Sequence, residues 1–88
     1  MAYEIAYKNS VTRDLKRLSK ADARRILDQI EADLSRKPDR HPALSGSFAG
    51  LRRMRVGDFR IIFAIMDSTV LVLRIGHRRD VYKTGIES

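Results

Sequence analysis

The chain of 88 residues is long enough for one domain with a modest core and too short for two, so residues 1–88 are expected to form a single domain. It contains no cysteine, which excludes disulfide bonds, thiolate nucleophiles and zinc–thiolate sites. A net charge of +7 predicts a polyanionic partner, and nucleic acid, an acidic protein and an anionic membrane surface all fit that description.

Location and cofactors follow from what the sequence lacks. No apolar run approaches the ~20 residues of a membrane span, and the first residues lack the basic and then apolar pattern of a signal peptide. A cytoplasmic location is therefore predicted. The only histidines, His41 and His77, are too few for a histidine metal site, so no metal or other cofactor is expected. His41 lies in a loop and is given no role, and His77 is interpreted as structural.

The first half of the chain predicts a strand followed by two helices. Residues 3–7 alternate as a short strand does. Asn9 or Ser10 is the candidate cap of the first helix. Ser19 is the candidate cap of the second helix, which must end by Lys37 because a proline follows. Charges of both signs on these helices, Asp14 among them, are interpreted as a solvated surface. The apolar stripes are Val11, Leu15 and Leu18 on the first helix, and Ala23, Ile26, Leu27, Ile30 and Leu34 on the second.

The second half predicts a loop over residues 38–50 and then two strands joined by a tight turn at Gly57-Asp58. Glycine at the first loop position fits a type II′ turn, which needs φ > 0 there. Leu44 and Phe48 are expected to anchor the loop against the core. A two-residue turn fixes the register of the hairpin. The predicted pairs are Val56 with Phe59, Arg55 with Arg60, Met54 with Ile61 and Arg53 with Ile62.

This register separates the hairpin into two faces, because directly opposite residues share a face. One face is apolar and consists of Met54, Val56, Phe59, Ile61 and Phe63. The other carries Arg53, Arg55 and Arg60, and is called the arginine face below. Like charges directly opposite each other cost roughly 0.2–1 kcal/mol, and no carboxylate shares this face of the hairpin. The arrangement favours an anion site for phosphates over a merely solvated basic surface.

A further strand is predicted from about residue 70 to residue 77. Arg60 and Arg78 project from the same face of the sheet only if the loop before this strand sets the right register. A three-residue loop over residues 67–69, or an equivalent bulge, meets this condition by pairing Arg60 with Gly76, whereas a two-residue loop would pair Arg60 with Ile75. The three-residue loop also pairs Met66 with Val70, Ile61 with Ile75 and Phe63 with Leu73. The element order predicts an α+β fold: an N-terminal strand, a two-helix hairpin and a three-stranded antiparallel meander, with the helices on one face of the sheet.

Two stretches of the chain resemble the RelE/ParE toxins of bacterial and archaeal toxin–antitoxin pairs. They are Gly50-Leu51-Arg52-Arg53-Met54-Arg55-Val56-Gly57-Asp58-Phe59-Arg60-Ile61-Ile62-Phe63 and Ile75-Gly76-His77-Arg78-Arg79-Asp80-Val81-Tyr82, and the approach Leu44-Ser45-Gly46 also fits. The resemblance runs from the first strand to Tyr82. It implies a RelE-like toxin domain that forms a heteromeric complex with a cognate, RelB-like antitoxin.

In the RelE branch, the resemblance implies an mRNA interferase. Such a toxin is a metal-independent endoribonuclease that binds the ribosome, cuts mRNA in the A site by 2′-hydroxyl attack and thereby inhibits translation. The matching catalytic positions are Arg53, Arg55, Arg60, Arg78 and Tyr82. The first two are lysine in the best-known members. Arginine cannot readily exchange a proton, so the general base is left open and the phosphate-binding role is kept.

Other basic residues are expected to contact RNA. Those near the site are Arg52, Arg74, Arg79 and Lys83. Those on the outer faces of the helices, here called the basic helix face, are Arg13, Lys16, Arg17, Lys20, Arg24 and Arg25. The basic helix face predicts sequence-independent, salt-dependent contact with ribosomal RNA. Two alternatives stay open: a ParE-like toxin that inhibits DNA gyrase without cutting anything, and an inactive RNA-binding relative. No membrane partner is expected.

Overall fold

The computed structural model describes residues 2–77. The strands are β1 (Glu4–Tyr7), β2 (Arg52–Val56), β3 (Phe59–Met66) and β4 (Thr69–His77), and the helices are α1 (Asn9–Lys16) and α2 (Lys20–Gln29). The sheet order is β1-β4-β3-β2, with β1 parallel to β4 and the other neighbours antiparallel. The predicted α+β fold, with two helices before an antiparallel meander, is confirmed. None of the helices within residues 2–77 is long and apolar enough to cross a bilayer.

The helix ends differ in how well the sequence predicted them. The Ser19 side chain accepts a hydrogen bond from the Asp22 backbone N–H at 3.1 Å, so the predicted cap of α2 is confirmed. The predicted cap of α1 is wrong, because Lys8 occupies the cap position and no side chain bonds there. Helical chain continues past α2 as a π-helical turn over Ile30–Leu34, which keeps the apolar stripe facing the core.

The main core lies between the helices and one face of the sheet. It joins the apolar stripes of the helices to the apolar face of the hairpin and to three residues of β4. Its fully buried members are Val11, Ile26, Ile30, Leu34, Ile61, Phe63, Val70, Val72 and Ile75. The two-faced sheet predicted from strand alternation is thus formed.

A second, smaller apolar cluster lies on the other face of the sheet. Ile62 and Leu73 are buried there, and Leu44, Phe48 and Leu51 pack over them. The loop before β2 is therefore anchored by Leu44 and Phe48 as predicted, but to this second cluster and not to the main core. The face opposite the helices is thus half apolar and covered, and half basic.

The β2–β3 hairpin has the predicted register throughout. Val56 pairs with Phe59, Arg55 with Arg60, Met54 with Ile61 and Arg53 with Ile62. Gly57 has φ of 59°, the positive value that the tight turn requires.

The β3–β4 hairpin corrects the predicted connection. Met66 pairs with Thr69, so the turn has two residues, Asp67 and Ser68, and the predicted three-residue loop is wrong. Asp67 has φ of 57°, a conformation that a short polar side chain tolerates better than a β-branched one does.

The equivalent bulge is present instead. The register shifts between Ile62 and Phe63: Ile62 pairs with Arg74 and Phe63 with Val72, which leaves Leu73 as the extra residue. The predicted pairs of Met66 with Val70 and of Phe63 with Leu73 are therefore wrong. Beyond the bulge, Ile61 pairs with Ile75 and Arg60 with Gly76, as predicted.

Candidate phosphate-binding site

The arginine face is built from two adjacent rows of the sheet. In one row Arg55, Arg60 and Gly76 lie side by side on three strands. In the next row Arg53 and Arg74 flank Ile62. Because paired residues share a face, the register brings all three predicted hairpin arginines to one side of the sheet.

Arg60 is the most enclosed of the three. It lies on an inner strand and is only 9% exposed, whereas Arg55 beside it is exposed and Arg53 is half-buried. A guanidinium buried to this degree is held in one orientation, which suits a fork of donors aimed at a phosphate. Gly76 pairs with Arg60 and carries no side chain, so β4 places no side chain directly opposite this guanidinium.

Arg53 contributes a second sign of an anionic ligand. Its Nε atom is buried and has no hydrogen-bond acceptor among the residues that the structure describes. A buried donor without an acceptor costs about 1–3 kcal/mol, so an arrangement of this kind is stabilised when an acceptor arrives. A phosphate oxygen is an acceptor of the required charge.

Arg74 has a different environment from Arg53, Arg55 and Arg60, here called the arginine trio. Its Nε donates to Asp14 Oδ2 and its Nη2 to Asp14 Oδ1, both at 2.9 Å, and its side chain is 11% exposed. The hydrogen bond to Asp14 is the largest cause that raises the pKa of Arg74 above its ordinary value. The expectation that Asp14 is solvated is wrong, because only 6% of it is exposed. RNA contact by Arg74 stays a prediction.

Arg52 lies on the core side of β2, opposite Phe63. Its Nη1 donates to the backbone carbonyls of Asp39 at 3.1 Å and His41 at 2.7 Å. This guanidinium therefore ties the loop before β2 to the sheet. Contact between Arg52 and RNA stays a prediction.

The two histidines lie away from the arginine face. The ring of His77 packs edge-on against Phe59, with centroids 6.1 Å apart, which fits the structural role predicted for it. His41 has a role that the sequence missed: its Nε2 lies 3.0 Å from Asp33 Oδ1 and its ring meets Phe63 edge-on. Asp33 also accepts a bond from Arg40 at 3.2 Å. The sequence held one signal of this contact, an acid eight residues before His41. That acid is Asp33, and it lies in the π-helical turn within reach of the ring.

The basic helix face is exposed at all six positions. Arg25 extends it to the β2–β3 turn, since a Cβ added to Gly57 would lie 3.1 Å from Arg25 Nη2. Arg25 Nη2 also lies 3.8 Å from Asp22 Oδ1. The basic helix face and the arginine face thus approach each other at this turn.

Four predicted site residues lie outside the described residues: Arg78, Arg79, Tyr82 and Lys83. Their roles stay predictions. The condition set for Arg78, that Arg60 pairs with Gly76, is met within the described part of β4.

The chemistry open to the site is electrostatic. A guanidinium group supplies a cation and hydrogen-bond donors but no proton acceptor, so Arg53, Arg55 and Arg60 can bind an anion and cannot act as a general base. Residues 2–77 contain no group of three or more histidines and acids placed to hold a metal ion. Preorganised cations of this kind stabilise charge that develops on a phosphate in a transition state.

Comparison with known proteins identifies the family. Residues 5–82 match the model for the ParE toxin of the type II toxin–antitoxin system, parDE. The chain is 33% identical over 86 residues to toxin RelG of Mycobacterium tuberculosis, covering 94% of this chain and 99% of RelG. It is 31% identical to a chain of the toxin–antitoxin complex RelBE2 from the same organism, with a TM-score of 0.84 and coverage of 91% and 95%.

A solved structure of much lower sequence identity shares the same fold. The chromosomal ParDE system of P. aeruginosa gives a TM-score of 0.73 at 13% identity, with coverage of 86% of this chain and 96% of that chain, which shows a shared fold alone. The family model and the RelG match together cover nearly all of this chain. The chain therefore belongs to the RelE/ParE superfamily of toxins from type II toxin–antitoxin systems.

Proposed function

We propose that this toxin is a RelE-type mRNA interferase, a metal-independent endoribonuclease that acts in the cytoplasm on ribosome-bound mRNA in the A site. The observation that carries the proposal is the row formed by Arg55, Arg60 and Gly76, in which two arginines lie directly opposite each other and the inner one, Arg60, is buried. A surface evolved only for solubility gains nothing from like charges placed directly opposite each other.

The reaction that fits this row is internal transfer at a phosphodiester. The 2′-hydroxyl oxygen forms a bond to the adjacent phosphorus as its proton departs, and the bond to the 5′-oxygen breaks. The products are a 2′,3′-cyclic phosphate and a 5′-hydroxyl, which takes up a proton. Negative charge accumulates on the non-bridging oxygens, where Arg60 and Arg78 would stabilise it, while Tyr82 would orient the nucleophile or stack on a base.

The same proposal names the partners. RelBE2, which this chain resembles, is a toxin–antitoxin complex, and a cognate RelB-like antitoxin is the partner we propose for this toxin. The basic helix face suits the phosphate backbone of ribosomal RNA, because contact of this kind requires charge but no reading of bases.

A second candidate function is a ParE-like toxin that inhibits DNA gyrase without cutting RNA. One observation favours it: the family model that matches residues 5–82 is that of the ParE toxin. The arginine row favours the first candidate, because inhibition by binding requires no oriented cations around a phosphate.

A translation extract programmed with one defined message separates the two candidates. Purified toxin should cut the message within the codon in the A site, as mapped by primer extension, and should leave it intact when initiation is blocked. Arg60→Met should lower the rate by about 100-fold, the usual effect of removing a group that stabilises transition-state charge. The matched control is Arg36→Met, an exposed arginine away from the arginine face.

Expression in cells tests Arg78 and Tyr82, which lie outside the described residues. Growth arrest by the parent should be relieved by Arg78→Ala and by Tyr82→Ala in proteins that remain folded. Arrest with intact messages, together with blocked DNA supercoiling by purified gyrase, would contradict the ribonuclease and support the ParE-like candidate.

A further inference from the structure

The bulge in β4 determines which residues share the arginine face. With a two-residue turn at Asp67-Ser68, a regular ladder would pair Arg60 with Ile75. The extra residue Leu73 moves that pairing by one position, to Gly76. Since successive side chains point to opposite faces, the bulge exchanges the faces of every β4 residue that follows it.

The outer edge of β4 shows how the bulge is held. The carbonyls of Val72 and Leu73 are successive, yet both accept bonds from the same side of the sheet. The Lys8 backbone N–H donates to Val72 O at 2.9 Å, and Ser10 Oγ donates to Leu73 O at 2.7 Å. In a regular strand successive carbonyls point in opposite directions, so the second bond exists only because of the bulge.

Asp14 completes this contact one turn further along α1. Its Oδ2 accepts from the Ile75 backbone N–H at 2.9 Å, and both of its oxygens bind the Arg74 guanidinium. Ser10 and Asp14 are 8% and 6% exposed, so neither backbone group that they bind has water as an easy substitute. Beyond the end of β1, two side chains of α1 therefore take the place of a neighbouring strand.

We propose that Ser10 and Asp14 are positioning residues for the ribonuclease site: by holding the Leu73 bulge they fix the register that sets Gly76 beside Arg60. This inference rests on the proposed function for its effect on catalysis. Neither residue touches the arginine trio, so both act through the backbone of β4. Loosening the bulge changes the alignment of cations at the phosphate and leaves the charge of the basic helix face as it was.

The test is the kinetics of A-site cleavage by Asp14→Asn and Ser10→Ala, measured where circular dichroism shows each variant folded. Asp14→Asn should lower kcat by about tenfold and leave KM within about twofold, because binding charge is retained while transition-state alignment is lost. Ser10→Ala should change kcat in the same direction by less. The matched control is Asp33→Asn, which breaks the contacts with Arg40 and His41 and touches no residue of β4.

Amide hydrogen exchange supplies a readout that does not depend on activity. In Asp14→Asn the Ile75 amide should exchange faster and the cross-strand NMR contacts between Arg60 and Gly76 should weaken, whereas Asp33→Asn should alter neither. A folded Asp14→Asn protein with the kcat of an active parent would overturn the positioning role alone. Equal losses of kcat in Asp14→Asn and Asp33→Asn would also overturn it, because they would show a general effect on the structure and no specific effect of the bulge. A parent that cuts no message refutes the proposed function, and the positioning role falls with it.

Discussion

The two hairpins that share β3 are closed by turns of the same length, yet one ladder is regular and the other is bulged. The regular hairpin, β2–β3, depends on local features: a glycine with positive φ at Gly57 and strict alternation on either side. The bulged hairpin, β3–β4, depends on α1, whose side chains bond to β4 from about 60 positions earlier in the chain. Local chemistry thus sets one half of the arginine face, and a distant helix sets the other.

Adding a side chain at Gly76, opposite Arg60, should break the bulged half of the site with the largest effect. Gly76 does not have positive φ, so a β-branched residue suits its strand conformation. Gly76→Val should place a side chain against Arg60 and lower kcat for A-site cleavage by about 100-fold, since small misplacements in an active site cost that much. Single-turnover cleavage measures it.

The control for Gly76→Val is Ala64→Val, which also introduces a valine on the same face, beside Leu71 and away from the arginine row. Cleavage by Ala64→Val should match the parent after correction for any unfolded fraction. Parent-like cleavage by Gly76→Val would show that the site does not require a residue without a side chain opposite Arg60.

Replacing Gly57 should break the regular half. Gly57→Ala forces a Cβ into a positive-φ position and within 3.1 Å of Arg25 Nη2, so unfolding free energy should fall by about 1–2 kcal/mol. Urea denaturation measures the change. Gly46→Ala, at φ of +66° with nothing within 4 Å, carries the backbone strain without the contact and should cost less. Equal losses would assign the whole effect to the backbone.

The turns of the two hairpins differ in charge, so variants at the two turns should differ in how their affinity for ribosomes depends on salt. Arg25 lies over the β2–β3 turn, whereas Asp67 forms the β3–β4 turn. The double variant Arg24→Gln, Arg25→Gln should bind ribosomes with a weaker salt dependence. In a plot of log affinity against log salt concentration, the slope should become shallower by about 0.7–0.9 per lost phosphate contact. Filter binding over a salt series measures it. Asp67→Asn should leave the slope unchanged, and a salt-insensitive parent would show that the basic helix face takes no part.

Alkaline pH should loosen the bulged hairpin by a smaller amount, through β1. Tyr7 pairs with Val72 on β4, and its hydroxyl donates to Glu31 Oε2 at 2.9 Å. Burial, and then the bond to Glu31, raise the pKa of Tyr7 above its ordinary value, so the folded state holds this proton more tightly than the unfolded state does. Stability from Tyr7 is therefore complete below about pH 10 and lost progressively as pH rises toward the folded-state pKa.

The measurement for Tyr7 is the difference in melting temperature between the parent and Tyr7→Phe from pH 8 to pH 11. The parent should lose stability relative to Tyr7→Phe above about pH 10. A constant difference across that range would mean that the phenol titrates alike in both states.

The sequence predicted the fold and half of the site because those parts follow from alternation and turn chemistry. It placed Arg53, Arg55 and Arg60 on one face, and it required Arg60 to pair with Gly76. It could not predict how that pairing arises, since a two-residue turn with a bulge and a three-residue loop give the same register beyond Ile62. The choice depends on the tolerance of Asp67 for positive φ and on contacts from α1.

Individual charged residues were harder to place than strands. Asp14 follows the pattern of a solvated helix, and only the position of β4 makes it a buried acceptor. His41 acquires a carboxylate partner because a π-helical turn redirects Asp33, and periodicity does not reveal such a turn. Contacts between elements that are distant in the chain depend on the tertiary structure, and a single sequence carries little information about them.

The parallel pairing of β1 with β4 has a consequence for how the toxin is made. β1 leaves the ribosome early in synthesis, but its partner is the last of the described strands and an inner strand of the sheet. Until residues 69–77 have emerged, β1 has no neighbouring strand, Asp14 lacks the Ile75 amide that it binds and Arg60 lacks its partner Gly76. Contacts of such sequence separation form late, after the entropy of closing a long loop has been overcome. A nascent chain therefore carries no assembled site near the machinery that synthesises it.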